Sequence, residues 1–217
     1  YPPSFRTPVC GLEFFVDYEN IELFPQLGRR TWRAAQLPER ADEIELSDYD
    51  EAIKLDPGYT EAYYYRGLAY FNLRDLELAI RDFDEVVRLD PRHILAHNSR
   101  GLAYFNRGDL ERAIQDYYRV IDRNPYFALA YSNRAIAYTH LAQNQRALQD
   151  FDRAIRLDPK LAIAYNNRGD AYYNLGEYER GIQDLDEVIR LDPNALAYGN
   201  RGYAYYNLGE YERAIED

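Results

Sequence analysis

A chain of 217 residues and 25.6 kDa is long enough for one ordinary domain or one short solenoid, and too short for a large enzyme. Its formal net charge of -11 opposes attraction to phosphate backbones and anionic lipid, so nucleic acid and membrane surfaces are poor candidate partners. No stretch approaches the ~18 consecutive apolar residues of a membrane span, and the lone Cys10 cannot form an intrachain disulfide. These features predict a soluble protein and leave its compartment undecided, with the cytoplasm favoured.

Residues 1–41 are predicted to be an irregular leader. Pro2, Pro3 and Pro8 indicate extended chain, and an acidic and aromatic run follows between Gly11 and Leu27. Aromatic residues at this density rarely stay in water, which leaves two interpretations open. The run either caps the exposed edge of the first helices, since terminal repeats need a cover, or lies in a groove of this chain or a neighbouring one as a built-in ligand.

From residue 42 onward the sequence repeats with a period of 34 residues. The period is marked by Pro57, Pro91, Pro125, Pro159 and Pro193. Between these prolines, apolar residues recur at helical spacing in two blocks that a Gly or a short polar turn separates. The pattern predicts helix-turn-helix units, each ended by a proline that cannot continue a helix.

The period divides the rest of the chain into six segments. These are a half unit at 42–57 that contributes only a second helix, full units at 60–93, 94–127, 128–161 and 162–194, and a broken unit at 195–217. The last segment stops partway into its second helix. Either more chain follows or this edge docks on another molecule, so self-association or a larger complex is expected.

The repeat is most regular between Ala162 and Tyr178, where it reads Ala-x-x-Tyr-x-x-Arg-Gly-x-Ala-Tyr-x-x-Leu-Gly-x-Tyr. This pattern resembles the tetratricopeptide repeat, a helix-turn-helix unit that stacks into a right-handed superhelix. The resemblance covers about residues 42–217. It implies an all-α fold, a right-handed superhelical solenoid of the α-α superhelix type.

Two charged rows predict a ladder of ion pairs between the helices of this array. The seventh residue of each unit is Arg66, Arg100, Arg134, Arg168 or Arg201, and the twenty-third is Asp48, Asp82, Asp116, Asp150, Asp184 or Asp217. The sequence does not decide whether each Arg meets the Asp of its own unit or that of the preceding one. Asp48 has Trp32, not an Arg, at the seventh position of its own unit, which favours pairing of each Arg with the Asp of the preceding unit.

The resemblance places a peptide-binding groove on the concave face, which the first helix of each unit lines. Its polar residues would be Ser99, Asn133, Asn167 and Asn200 at the sixth position, Asn98 and Asn166 at the fifth, and Asn72, Asn106, Asn174 and Asn207 at the thirteenth. Its apolar residues would be Leu95, Leu129, Ile163, Phe71, Phe105, Tyr173 and Tyr206. A carboxamide offers donors and an acceptor to a peptide backbone. The run Asn133, Asn167, Asn200 resembles the asparagine ladder in the repeat arm of O-GlcNAc transferases.

The sequence points away from two more specific functions. Chaperone-binding members of the family hold a terminal carboxylate with Lys and Arg on the groove, and this chain has none of those cations, so no binding of acidic C-terminal tails is expected. His93 and His97 are spaced to share a metal ion, but no third ligand is indicated. No catalytic motif, cofactor or metal site is therefore predicted.

The predicted function is a protein-protein interaction scaffold, an adaptor or complex-assembly factor that binds an extended peptide or protein segment in the concave groove. Two alternatives stay open. The chain could be the substrate-recruiting arm of a larger enzyme such as a glycosyltransferase, or a structural subunit that contacts its partners through the convex side.

Overall fold

The structure, a computed structural model, describes the backbone of residues 41–217 and the side chains of residues 46–217. Residues 45–217 form one unit. Both interpretations of the leader, and the position of Trp32, lie outside the described residues. None of the helices between residues 41 and 217 is long and apolar enough to cross a membrane.

The described residues contain eleven α-helices and no strand. They are α1 (Ala41–Leu55), α2 (Thr60–Asn72), α3 (Leu76–Leu89), α4 (Ile94–Arg107), α5 (Leu110–Arg123), α6 (Ala128–His140), α7 (Asn144–Leu157), α8 (Ala162–Asn174), α9 (Tyr178–Leu191), α10 (Ala195–Leu208) and α11 (Tyr211–Glu216). The all-α solenoid expected from the repeat is confirmed, whereas the exact limits of each unit stay a prediction.

Tight turns join the two helices of each pair. Gly108 ends α4 with φ 87°, and Gly176 and Gly209 occupy the same place in later pairs with φ 77° and 80°. Such a left-handed conformation favours glycine because a Cβ atom would clash with the following carbonyl oxygen. Arg74 and Ala142 adopt it with φ 65° and 56°. The turn geometry is therefore imposed by the packing of the helix pair even where glycine is missing.

Glycine and aromatic residues set the distance between paired helices. A Cβ atom added to Gly67 would lie 2.8 Å from Cε1 of Phe83, and one added to Gly101 would lie 2.7 Å from Cε1 of Tyr117. Both rings are fully buried. The core continues through the array in equivalent residues of the second helices, namely Ala79, Val86, Ala113, Val120, Ala147, Phe151 and Ala154.

The charged rows form the expected ladder, but with a different pairing. Arg66 donates through Nε and Nη2 to both carboxylate oxygens of Asp82 at 2.7 Å, so the preference for the Asp of the preceding unit is wrong. The reason is the antiparallel helix pair: Arg66 and Asp82 are equally far along the chain from the turn residue Arg74, and therefore face each other. The preceding helix contributes a different acid, Asp50, whose Oδ1 accepts from Arg66 Nη1 at 2.6 Å.

The same two-sided pairing recurs along the array. Arg100 bonds to Asp116 and Asp84, Arg168 to Asp184 and Asp152, and Arg201 to Asp217 and Asp186. Each guanidinium thus ties its own helix pair to the preceding helix. Because bidentate Arg-carboxylate pairs fix geometry as well as charge, the ladder defines the stacking register.

Arg134 breaks the pattern. It is 8% exposed and pairs with Asp150 through Nε and Nη2 at 2.7 and 2.8 Å. The preceding helix offers Tyr118 in place of an acid, and the Arg134 guanidinium carbon lies 4.1 Å from the centre of that ring. A cation over an aromatic face replaces the second ion pair here.

Candidate functional site

The first helices of the pairs, α2, α4, α6, α8 and α10, each present one face away from the second helices. On α8 this face consists of Ile163, Asn166, Asn167, Asp170, Tyr173 and Asn174, which fall within about a third of the helix circumference at the α-helical angle per residue. All six are half-buried or exposed, whereas Ala164, Gly169, Ala171 and Tyr172 on the other side of α8 are buried. The equivalent residues of the other four helices complete what is called here the first-helix surface.

Contacts between neighbouring first helices make this surface continuous. The Tyr64 hydroxyl lies 3.5 Å from the Ser99 hydroxyl, which joins α2 to α4. The ring centres of Phe105 and His140 are 5.0 Å apart and join α4 to α6. The rings of Tyr173 and Tyr203 are 5.4 Å apart and join α8 to α10. Helices α6 and α8 also contact each other, so residues that are far apart in the chain form one strip along the array.

The amide of Asn133 is largely used inside the array. Its Nδ2 donates to Asn98 Oδ1 at 3.3 Å, and the residue is only 9% exposed. Ser99 and Phe71 are also buried, each with 6% exposure. These three predicted groove residues hold neighbouring helices together and offer little surface to a guest.

The other predicted amides remain accessible. Asn167 donates to the backbone oxygen of Ile163 at 2.7 Å, and Asn106 and Asn207 make the same bond to the carbonyl four residues earlier, at 2.8 and 2.7 Å. Such a bond occupies one N–H and leaves Oδ1 as an acceptor. The half-buried amides are Asn98, Asn106, Asn166, Asn167 and Asn200, and the exposed ones are Asn72, Asn174 and Asn207.

Most of the predicted apolar contacts also reach the surface. Leu95 is 48% exposed, Leu129 is 40% exposed and Tyr206 is 59% exposed. Ile163, Phe105 and Tyr173 are half-buried. Burial, and after it a side-chain hydrogen bond with Tyr203, raises the pKa of Tyr173.

Asp170 and Tyr203 belong to this surface but are missing from the sequence-based set. Both are ninth residues of their units, where the earlier units have Leu68, Leu102 and Ile136. Burial alone raises the pKa of Asp170 to about 6. A carboxylate in a row of apolar residues was the signal in the sequence that could have identified this position.

The charge on the first-helix surface is of one sign. No Lys or Arg occupies any of its positions on the five helices, whereas Glu61 and Asp170 are acidic. The seventh-position arginines of the same helices are engaged in the ladder, and Arg107 at the end of α4 pairs with Glu77 and Asp109. The surface offers amides, rings, aliphatic side chains and carboxylates, and no fixed positive charge.

The two histidines that could have shared a metal ion have other roles. His93 caps α4, accepting a hydrogen bond at Nδ1 from the Ala96 backbone N–H at 3.0 Å. His97 is fully buried, with Nδ1 3.1 Å from Asp116 Oδ1 and Nε2 3.1 Å from the Pro91 carbonyl oxygen. Within residues 46–217, no cluster of three or more His, Cys, Asp or Glu side chains is arranged to hold a metal ion.

A shallow cavity of about 480 Å³ lies at the last helix pair. Its walls include Tyr203 and Tyr206 of the first-helix surface together with Tyr211 and Ile215 of α11. Ile215 is 84% exposed and Tyr211 is 58% exposed. On the first-helix surface, Tyr and Phe residues are most frequent at the two ends, on α2 and α10.

Known repeat families and structures match this chain. Models described as tetratricopeptide or TPR repeats match residues 46–94, 70–128, 142–176, 162–194 and 195–217. No curated protein sequence matches it. A crystal structure of MamA protein is 26% identical, with a TM-score of 0.64 over 72% of this chain and 86% of that one.

Two further structures share the fold at lower identity. YrrB, described as a TPR protein with an unusual peptide-binding site, is 21% identical, with a TM-score of 0.61 over 77% of this chain and 87% of that one. A chain of the APC/C hetero-tetramer Cut9-Hcn1 is 18% identical, with a TM-score of 0.71 over 81% of this chain and 35% of that one. With helical hairpins in register and repeat models matching residues 46–128 and 142–217, the chain belongs to the tetratricopeptide repeat family.

Proposed function

We propose that this chain is a protein-interaction scaffold that binds an extended polypeptide segment along the first-helix surface, as an adaptor or complex-assembly factor. The observation that carries the proposal is the continuous strip of accessible amides, rings and aliphatic side chains along successive first helices. An extended segment can bond its backbone to amides while placing alternate side chains in apolar contacts.

The predicted amides have two different roles in this proposal, direct contact with the peptide and support of a neighbouring amide. Asn167 and Asn200 bind the peptide backbone, because both are accessible and Asn167 keeps a carboxamide oxygen as an acceptor. Asn133 acts indirectly, since its bond to Asn98 orients that neighbouring amide. Leu95, Leu129 and Tyr206, and the other exposed or half-buried apolar residues, receive side chains of the guest.

The proposal includes no catalytic activity. Tetratricopeptide scaffolds are generally non-enzymatic, and we infer that this array is one of them. The fold is shared with YrrB, which is described as having a peptide-binding site, so the architecture is compatible with the proposed role.

The test is selection of random 12-residue peptides by the 217-residue chain, followed by calorimetric titration of an enriched peptide. The double variant N167A/N200A is expected to bind about 10- to 30-fold more weakly, because each lost hydrogen bond is worth about 1 kcal/mol. Q115A/Q149A is the matched control, since it removes two exposed carboxamides from the second helices α5 and α7. Equal affinity of wild type and N167A/N200A, or an equal loss in the control, would contradict the proposal.

A further inference from the structure

Asp170 has the central place on the α8 face. Ile163 and Asn174 lie about 20° and 40° to one side of it around the helix axis, and Asn166 and Tyr173 lie about 40° and 60° to the other side, at 100° per residue. Asp170 is half-buried. A polypeptide that lies across this face therefore passes directly over its carboxylate.

The carboxylate of Asp170 has no partner within residues 46–217, neither a hydrogen bond nor an ion pair. The buried aspartates of the ladder differ in this respect. Asp82, Asp116, Asp150 and Asp184 each accept two hydrogen bonds from an arginine. Within the described part of the chain, these four aspartates are paired and Asp170 is not.

Among the side chains that the structure describes, residues 46–217, no cation supplies the missing partner. The arginine nearest to Asp170 in sequence, Arg168, is held by Asp184 and Asp152 at 2.6 and 2.7 Å. No Lys or Arg occupies the first-helix surface. A positive charge for Asp170 therefore has to come from outside residues 46–217.

We propose that Asp170 makes the first-helix surface selective for peptides that carry a lysine or arginine, whose side-chain cation pairs with the Asp170 carboxylate. This inference rests on the proposed function. The flanking ring of Tyr173, 5.4 Å from that of Tyr203, adds an aromatic wall beside the carboxylate, which favours a cation over a neutral side chain. Pairing also relieves the cost of leaving a desolvated carboxylate alone.

The experiment is peptide selection on three forms of the 217-residue chain: wild type, D170N and D122N. Asp122 is an exposed aspartate of the second helix α5, so D122N makes the same change of charge away from the first-helix surface. Random 12-residue peptides selected by wild type and D122N are expected to be enriched in Lys or Arg at one position, and those selected by D170N are not.

A double-mutant cycle then isolates the pair. Replacing the enriched cation of the peptide by Gln is expected to weaken binding about 10-fold to wild type and less than 2-fold to D170N. An equal loss for wild type and D170N, or enriched peptides that lack a cation, would overturn the role of Asp170 and leave the peptide-binding function standing. If none of the three forms enriches any peptide, the proposed function fails and this inference fails with it.

Discussion

Replacing Tyr117 by Phe is expected to stabilise the array. The side chain of Tyr117 is fully buried, and its hydroxyl has no hydrogen-bond partner among the described residues. Burying a hydroxyl without a partner costs about 1–3 kcal/mol. The substitution removes this cost and keeps the ring that packs against Gly101.

The equivalent position one period earlier shows that phenylalanine fits this place. Phe83 is fully buried and packs against Gly67 as Tyr117 packs against Gly101. Removing the oxygen forfeits a few dispersion contacts, worth about 0.5 kcal/mol, and Tyr and Phe have similar helix propensities. The net expectation is a free energy of unfolding that is larger by about 1 kcal/mol.

Urea unfolding followed by circular dichroism at pH 7 measures the difference in the free energy of unfolding. Y172F is the matched comparison, because the Tyr172 hydroxyl accepts a hydrogen bond from Arg180 Nη2 at 2.6 Å. That variant is expected to lose about 1 kcal/mol. A Y117F variant less stable than wild type would refute the reasoning, since the hydroxyl would then have to make a favourable bond.

Three further predictions concern stability. Ala142→Gly should raise the free energy of unfolding by about 0.5–1 kcal/mol, because alanine at φ 56° is strained and the equivalent turns have glycine; the same urea assay applies, and a loss would contradict it. Asp150→Asn should lower the free energy of unfolding by about 2–3 kcal/mol, because the buried Arg134 guanidinium loses the carboxylate that pairs with it within residues 46–217. A loss below about 1 kcal/mol in the urea assay would contradict the stabilising role of the ladder. Asp170→Asn should be more stable than wild type by about 1–2 kcal/mol at pH 7, an amount reduced from the full linkage value because the side chain is only half-buried. Burial raises the pKa of Asp170 to about 6 in the folded chain, so the folded state binds a proton before the unfolded state and this advantage should vanish as pH falls from about 6 to 4; an advantage that stays constant in urea titrations at pH 7, 5.5 and 4 would be inconsistent with this cause.

The repeat period was sufficient to predict the fold because each unit contacts mainly its neighbours. A proline every 34 residues and apolar residues at helical spacing specify a hairpin. Stacking identical hairpins then leaves little choice of architecture. The second row of ladder acids was also visible in the sequence, since Asp50, Asp84, Asp152 and Asp186 recur in register, with Tyr118 in place of an acid at one step.

The candidate site was less predictable. Helical geometry places Asn133, Asn167 and Asn200 on one face of their helices, but it does not say which amide a neighbouring helix will use. Asn133 bonds to Asn98 because position five of one helix meets position six of the next, as Tyr64 and Ser99 also do. Such contacts depend on the distance between successive hairpins. The 34-residue period of the sequence does not specify that distance.

By itself the sequence determined the helices, their pairing into hairpins and the face that each helix turns outward, because these depend on local spacing and on the symmetry of a hairpin about its turn. Only the tertiary structure decided which side chains of that face contact a neighbouring hairpin and which stay accessible. Two such outcomes are the contact of Arg134 with the Tyr118 ring and the absence of a partner for Asp170 within residues 46–217. Each depends on which side chain the adjacent hairpin places within a few ångströms.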